Sequence, residues 1–189
     1  MGNQYGFYIR ADRCVQCHAC ELACGSIREV EQGLRWRKVM DVWSGEFPKI
    51  SNRSLSFACA HCMRPACMEA CPEGAISKRS DDGIVVVDTE KCIGCRTCGS
   101  ACPFGVPRYG KDKIMQKCDM CLGWKERGTS PACVETCPGE ALSFGALDDL
   151  IEVSASRSAF RLAASTDPSI LISGNWTSAE VMKLFESYR

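Results

Sequence analysis

The chain has 189 residues, 23 basic and 23 acidic side chains for a formal charge of zero, and 16 cysteines. That balance announces no surface for a polyanion, so nucleic acid is not an expected partner. No apolar stretch nears the ~20 residues that cross a bilayer, so direct membrane insertion is not expected either. Cysteine at this density would suit a secreted disulfide scaffold. Residues 1–8, however, lack a basic segment followed by an apolar run, which makes the cytoplasm the expected location. The apolar share of 46% counts the cysteines. Without them core-forming side chains are thin for this length, and something else is expected to fill the interior.

Residues 5–9 read as a short strand entering a loop with Cys14, Cys17, Cys20 and Cys24, and a helix over 20–29 leaves it. Residues 33–43 are basic and aromatic with rough alternation, which predicts a strand, and Ser44-Gly45-Glu46 a turn. Arg35, Trp36 and Arg37 could be taken for a nucleic-acid patch. In a neutral chain with no binding module, a strand packed against a cofactor or a partner subunit is the better reading. A second cysteine quartet follows at Cys59, Cys62, Cys67 and Cys71, closed by Pro72. Residues 75–77 and 84–88 flank Asp81-Asp82-Gly83, a hairpin signal.

The third quartet, Cys92, Cys95, Cys98 and Cys102, ends in Pro103. The fourth, Cys118, Cys121, Cys133 and Cys137, ends in Pro138, with residues 124–131 read as an excursion inside its loop. Beyond it the pattern predicts a strand and turn over 141–150 and partial helix over 150–164. A strand over 169–172 follows the Asp167-Pro168 turn. Thr177-Ser178-Ala179-Glu180 is a capping box opening a final helix. The apolar face of that helix is Val181, Leu184, Phe185 and Tyr188, expected to dock on its own domain or on a partner subunit.

Every cysteine falls into a quartet, and this internal repeat is the dominant signal. Three thiolates at three-residue steps suit one corner of a cubane. In two-cluster bacterial ferredoxins the fourth cysteine of such a run ligates the other cluster. Four [4Fe–4S] clusters are the expected cofactors, and the fold class is α+β. Two nested ferredoxin-like units are expected: residues 54–115 carry quartets two and three, and residues 1–53 plus 116–150 carry one and four. Residues 151–189 form a C-terminal extension. Structural zinc is the rival, but it gathers separated Cys-x2-Cys pairs into a closed tetrahedron, which only the fourth quartet matches. His18 and His61 each adjoin a cysteine and are expected to hydrogen-bond or pack rather than ligate iron. Arg13, Lys91 and Lys117 each precede a cysteine, and nearby cations favour thiolate. No phosphate loop, dinucleotide fingerprint or nucleophile elbow is present, so no catalytic residue is assigned.

The resemblance then becomes specific. Gly6-Phe7-Tyr8, the first quartet, Gly33 through Trp36-Arg37, Cys59-Ala60-His61-Cys62 and Pro65-Ala66-Cys67 resemble the four-cluster iron–sulfur subunit of the dimethyl sulfoxide reductase (molybdopterin oxidoreductase) family. So do Gly83-Ile84-Val85, Cys92-Ile93-Gly94-Cys95, Pro131-Ala132-Cys133-Val134 and Phe144-Gly145. The match covers about residues 5–150. It departs at Arg10, where relatives carry an acidic residue, and in the tail after about Ser165. The resemblance implies ligand sets Cys14, Cys17, Cys20 with Cys137; Cys24 with Cys118, Cys121, Cys133; Cys59, Cys62, Cys67 with Cys102; and Cys71 with Cys92, Cys95, Cys98. It also implies a large molybdenum- or tungsten-pterin catalytic partner and a membrane anchor subunit or soluble electron carrier. Export with a partner's twin-arginine signal is the alternative to a cytoplasmic location. Other readings are the same scaffold serving a tungsten aldehyde-oxidoreductase-type enzyme or a hydrogenase and, more distantly, a structural zinc module.

Overall fold

Strand β1 (Tyr5–Arg10) alternates between two buried faces: Phe7 and Ile9 meet the main core, while Tyr8 packs with Leu147, Leu150 and Leu171 on the other side. The computed structural model describes residues 4–126 and 128–188. Helix α1 (Ala19–Ile27) leaves the first cysteine loop. The strand expected over 33–43 begins only at Lys38. Gly33 sits at φ +92° and the Leu34 N–H closes a turn on the Glu31 carbonyl at 2.9 Å, so the chain reverses before extending as β2 (Lys38–Ser44). Strand β3 (Ser51–Phe57), not expected from the sequence, pairs antiparallel with β2 from Lys38↔Phe57 to Ser44↔Ser51.

The second quartet holds a single turn, α2 (Ala66–Glu69). The expected hairpin is present as β4 (Ile76–Lys78) against β5 (Val85–Val87). Helix α3 (Thr97–Ala101) lies in the third quartet, and a small ladder of β6 (Arg108–Tyr109) and β7 (Met115–Gln116) follows. Helix α4 (Leu122–Lys125) runs into the expected excursion, and α5 (Ala132–Glu135) opens after Pro131. Residue 127 of that excursion lies outside the described residues. Strand β8 (Leu142–Ala146) runs directly into α6 (Leu147–Ser154), a helix where a turn is expected. The tail adds β9 (Phe160–Arg161), β10 (Ile170–Ser173) and α7 (Ser178–Tyr188).

The fold is α+β with small sheets. The largest has the order β8-β1-β10-β9, with β1 antiparallel to β8 and parallel to β10 (Phe7↔Ile170). Gly6 permits the close approach, since a Cβ there would sit 2.4 Å from the Ser169 carbonyl oxygen. The tail is therefore part of the central sheet. Helix α1 packs on α5, and α2 packs on α3. The capping box closes reciprocally: the Thr177 N–H donates to Glu180 Oε2 at 2.8 Å and the Glu180 N–H to Thr177 Oγ1 at 3.3 Å. Val181, Leu184 and Phe185 of α7 are buried in the main core; the side chain of Tyr188 lies outside the described residues. Among the described residues no helix is long and apolar enough to cross a membrane.

Candidate metal centres

None of the sixteen cysteines is in a disulfide; only Cys17 and Cys95 are exposed. Among the described residues no group of three or more His, Cys, Asp or Glu side chains is placed to hold a single metal ion.

Cys71, Cys92, Cys95 and Cys98 line one cavity, partly open to solvent, with Ile76, Tyr109 and Met115 among its walls. Burial raises the Cys98 thiol pKa, the Tyr109 hydroxyl counters it, and Cys92, Cys95 and Cys71 push it further up. In the second quartet burial pushes Cys62 up to about 11, with Cys59 and Cys102 among the charges adding to it. Cys67 rises to about 12 through burial and Cys59, with Cys102 and Cys62 also bearing on it. Cys24 likewise reaches about 12, from burial and the thiols of Cys133 and Cys121. Cys118 rises well above its ordinary value through burial, with Cys133, Cys59 and Cys24 adding to it.

The first and fourth quartets meet at Gly139, where a Cβ would lie 2.3 Å from the Arg13 carbonyl oxygen. Cys14 is raised by burial and then by Cys137, Asp41 and Cys17. Burial raises Cys20, Arg37 and Ser56 oppose that, and Cys133 and Glu21 push it further up.

Hydrogen bonds reach several sulfurs. The amides of Met115, Met120 and Ala141 donate to Cys92 (3.5 Å), Cys118 (3.4 Å) and Cys137 (3.2 Å). Thr97 Oγ1 donates to Cys95 Sγ at 3.4 Å, and the Tyr109 hydroxyl lies 3.2 Å from Cys98 Sγ. Such contacts tune a bound metal centre.

Of the three cations preceding cysteines, Lys117 alone is buried; its Nζ donates to the carbonyls of Val85 and Cys118. Arg13 instead pairs with Glu140 at 3.3 Å and Lys91 with Asp88 at 3.0 Å, because adjacency in sequence does not aim a long side chain. His61 is fully buried, and its Nδ1 accepts the Val85 N–H at 3.0 Å. Burial, then Lys117 and Lys78, hold its pKa well below the ordinary value, so the ring is neutral. His18 is half-buried and lies 3.4 Å from both Asp41 and the buried Glu21. The expectation that residues 35–37 pack against a cofactor or a partner pointed toward Arg37, which the structure buries; sequence reasoning missed its full burial, and Ser56 carried no signal.

The donor set thus fits thiolate-bound clusters. Residues 51–147 match the family described as 4Fe-4S dicluster domain, and residues 11–27 the 4Fe-4S binding domain. The B subunit of the anaerobic dimethyl sulfoxide reductase of Escherichia coli (strain K12) is 42% identical over 159 residues, 79% of this chain and 77% of that protein. Its namesake in Haemophilus influenzae is 38% identical over 157 residues (78% and 76%). The protein NrfC of E. coli (strain K12) is 38% identical over 151 residues (78% and 68%). The chain belongs to the ferredoxin-type [4Fe–4S] electron-transfer subunits of the dimethyl sulfoxide reductase family.

Proposed function

We propose that the sixteen cysteines hold four [4Fe–4S] clusters in crossed sets, and that the chain relays electrons through them to or from a molybdenum- or tungsten-pterin catalytic subunit. The sets are Cys14, Cys17, Cys20 and Cys137; Cys24, Cys118, Cys121 and Cys133; Cys59, Cys62, Cys67 and Cys102; Cys71, Cys92, Cys95 and Cys98. The observation that carries this reading is the shared cavity: Cys71 lines it with Cys92, Cys95 and Cys98 although it ends the preceding quartet. The packing of α1 on α5 and of α2 on α3 supports two nested units, residues 54–115 within 1–53 plus 116–150.

Bound clusters supply one-electron carriers. The chain's own residues set their surroundings. Amide and hydroxyl donors at Cys92, Cys95, Cys98, Cys118 and Cys137 favour the more negative reduced state. The buried ammonium of Lys117 does the same in an interior of low dielectric. Cys17 and Cys95, the exposed ligands, mark the two ends of the relay, one facing the catalytic subunit and the other a membrane anchor or soluble carrier. Anaerobic purification from the native source tests the reading. About sixteen irons per chain and a co-purifying pterin subunit are expected. A hydrogenase large subunit in its place, or bound zinc, would overturn it.

A further inference from the structure

Among the described residues Arg37 is the largest fully buried side chain, 1% exposed. Its Nη1 donates to Ser56 Oγ at 3.2 Å and to the Ser56 carbonyl at 3.4 Å, and its guanidinium lies 4.7 Å over the Phe7 ring. Nη2 is buried with no hydrogen-bond partner among the described residues. Ser56 Oγ in turn lies 3.3 Å from Cys20 Sγ. A guanidinium only donates, so the serine oxygen must accept from Arg37, and the one hydroxyl proton is left for the Cys20 sulfur.

We propose that Arg37 is a positioning residue for the electron relay: it fixes Ser56 as a donor to Cys20 and holds a buried positive charge between the first and second cysteine sets, raising the reduction potentials of both. The inference rests on the crossed four-cluster reading. The neighbours in charge agree with it. Burial alone would push the Arg37 pKa down; Cys133, Cys118, Cys20 and Cys24 outweigh that and hold it above its ordinary value. Those thiols belong to both sets. An unpaired buried cation is costly, and an orphan N–H adds to the cost; a thiolate or cluster sulfide satisfies both. Reduction adds an electron, so a fixed cation and a committed donor stabilise the reduced form more than the oxidised one. Full burial shields the effect from salt.

The test is a redox titration of the loaded protein followed by electron paramagnetic resonance, with iron measured in each variant. Arg37→Met keeps length and removes the charge; two of the four signals should move to more negative potential while the other two stay. Arg37→Lys should return most of that shift, and Ser56→Ala should move one signal alone. Loaded Arg37→Met with unshifted signals would overturn the inference. Should Arg37→Met fail to load, Arg37→Lys and Ser56→Ala decide, and an unshifted Ser56→Ala overturns the hydroxyl's role. Fewer than four signals in the unmodified protein would instead overturn the four-cluster reading itself.

Discussion

The rings of Phe57 and Phe185 meet with centroids 4.4 Å apart at 59°, and Phe104 sits 5.4 Å and 5.3 Å from them. This cluster ties the final helix to the hairpin that precedes the second quartet. Aromatic pairs of this geometry add to the area they bury. Phe185→Ala should lower stability by about 3 kcal/mol or more, read as a lower denaturation midpoint of the loaded protein. An unchanged midpoint would mean that the tail merely rests on the surface.

Removing iron should unfold the chain. Cys20, Cys59, Cys118 and Cys133 are buried in the main core, with Cys14, Cys62, Cys102 and Cys137 packed against it, and metal binding supplies folding free energy when the site is absent from the unfolded chain. Circular dichroism of iron-stripped, reduced protein should show lost secondary structure; a native spectrum with a cooperative melt contradicts this.

Loading should depend on pH in one direction. Burial holds Cys62 up to about 11 and Cys24 and Cys67 up to about 12, from an ordinary 9.0. These thiols carry protons at pH 7, and each must lose one to ligate. Iron uptake should therefore strengthen as pH rises from 7 toward 9, with protons released on loading. Uptake independent of pH would contradict the assignment of buried thiols as ligands.

Clusters with an exposed ligand should fail first. The Thr97 hydroxyl and amide hold the exposed Cys95 thiol below its ordinary pKa, while Cys24, Cys118 and Cys133 are buried. Under a chelator or air, the signal altered by Cys95→Ser should decay before the one altered by Cys118→Ser. The reverse order would mean that exposure does not set lability here.

What was legible in the sequence was local. Cysteine spacing picked out the ligand candidates, the Asp81-Asp82-Gly83 turn the β4–β5 hairpin, and Thr177 with Glu180 the final helix. Strand β3 escaped notice because Ser51, Asn52, Ser54 and Ser56 dilute its β-propensity; pairing with β2 supplies what propensity lacks. The parallel pairing of Ile170 with Phe7 joins opposite ends of the chain, and no local pattern encodes it. Arg37 looked like a strand residue among charges, and its burial depends on Ser56 and Phe7, which lie far from it in sequence.

Cys71 tests crossed ligation most directly. It ends the second quartet, yet lines the cavity of Cys92, Cys95 and Cys98, with α2 ending at Glu69 just before it. The measurement is a redox titration by electron paramagnetic resonance of Cys71→Ser, Cys95→Ser and Cys62→Ser. Under crossed ligation Cys71→Ser and Cys95→Ser should alter the same signal and leave untouched the one altered by Cys62→Ser. If Cys71→Ser instead matched Cys62→Ser and differed from Cys95→Ser, each quartet would hold its own cluster and the crossed arrangement would be wrong.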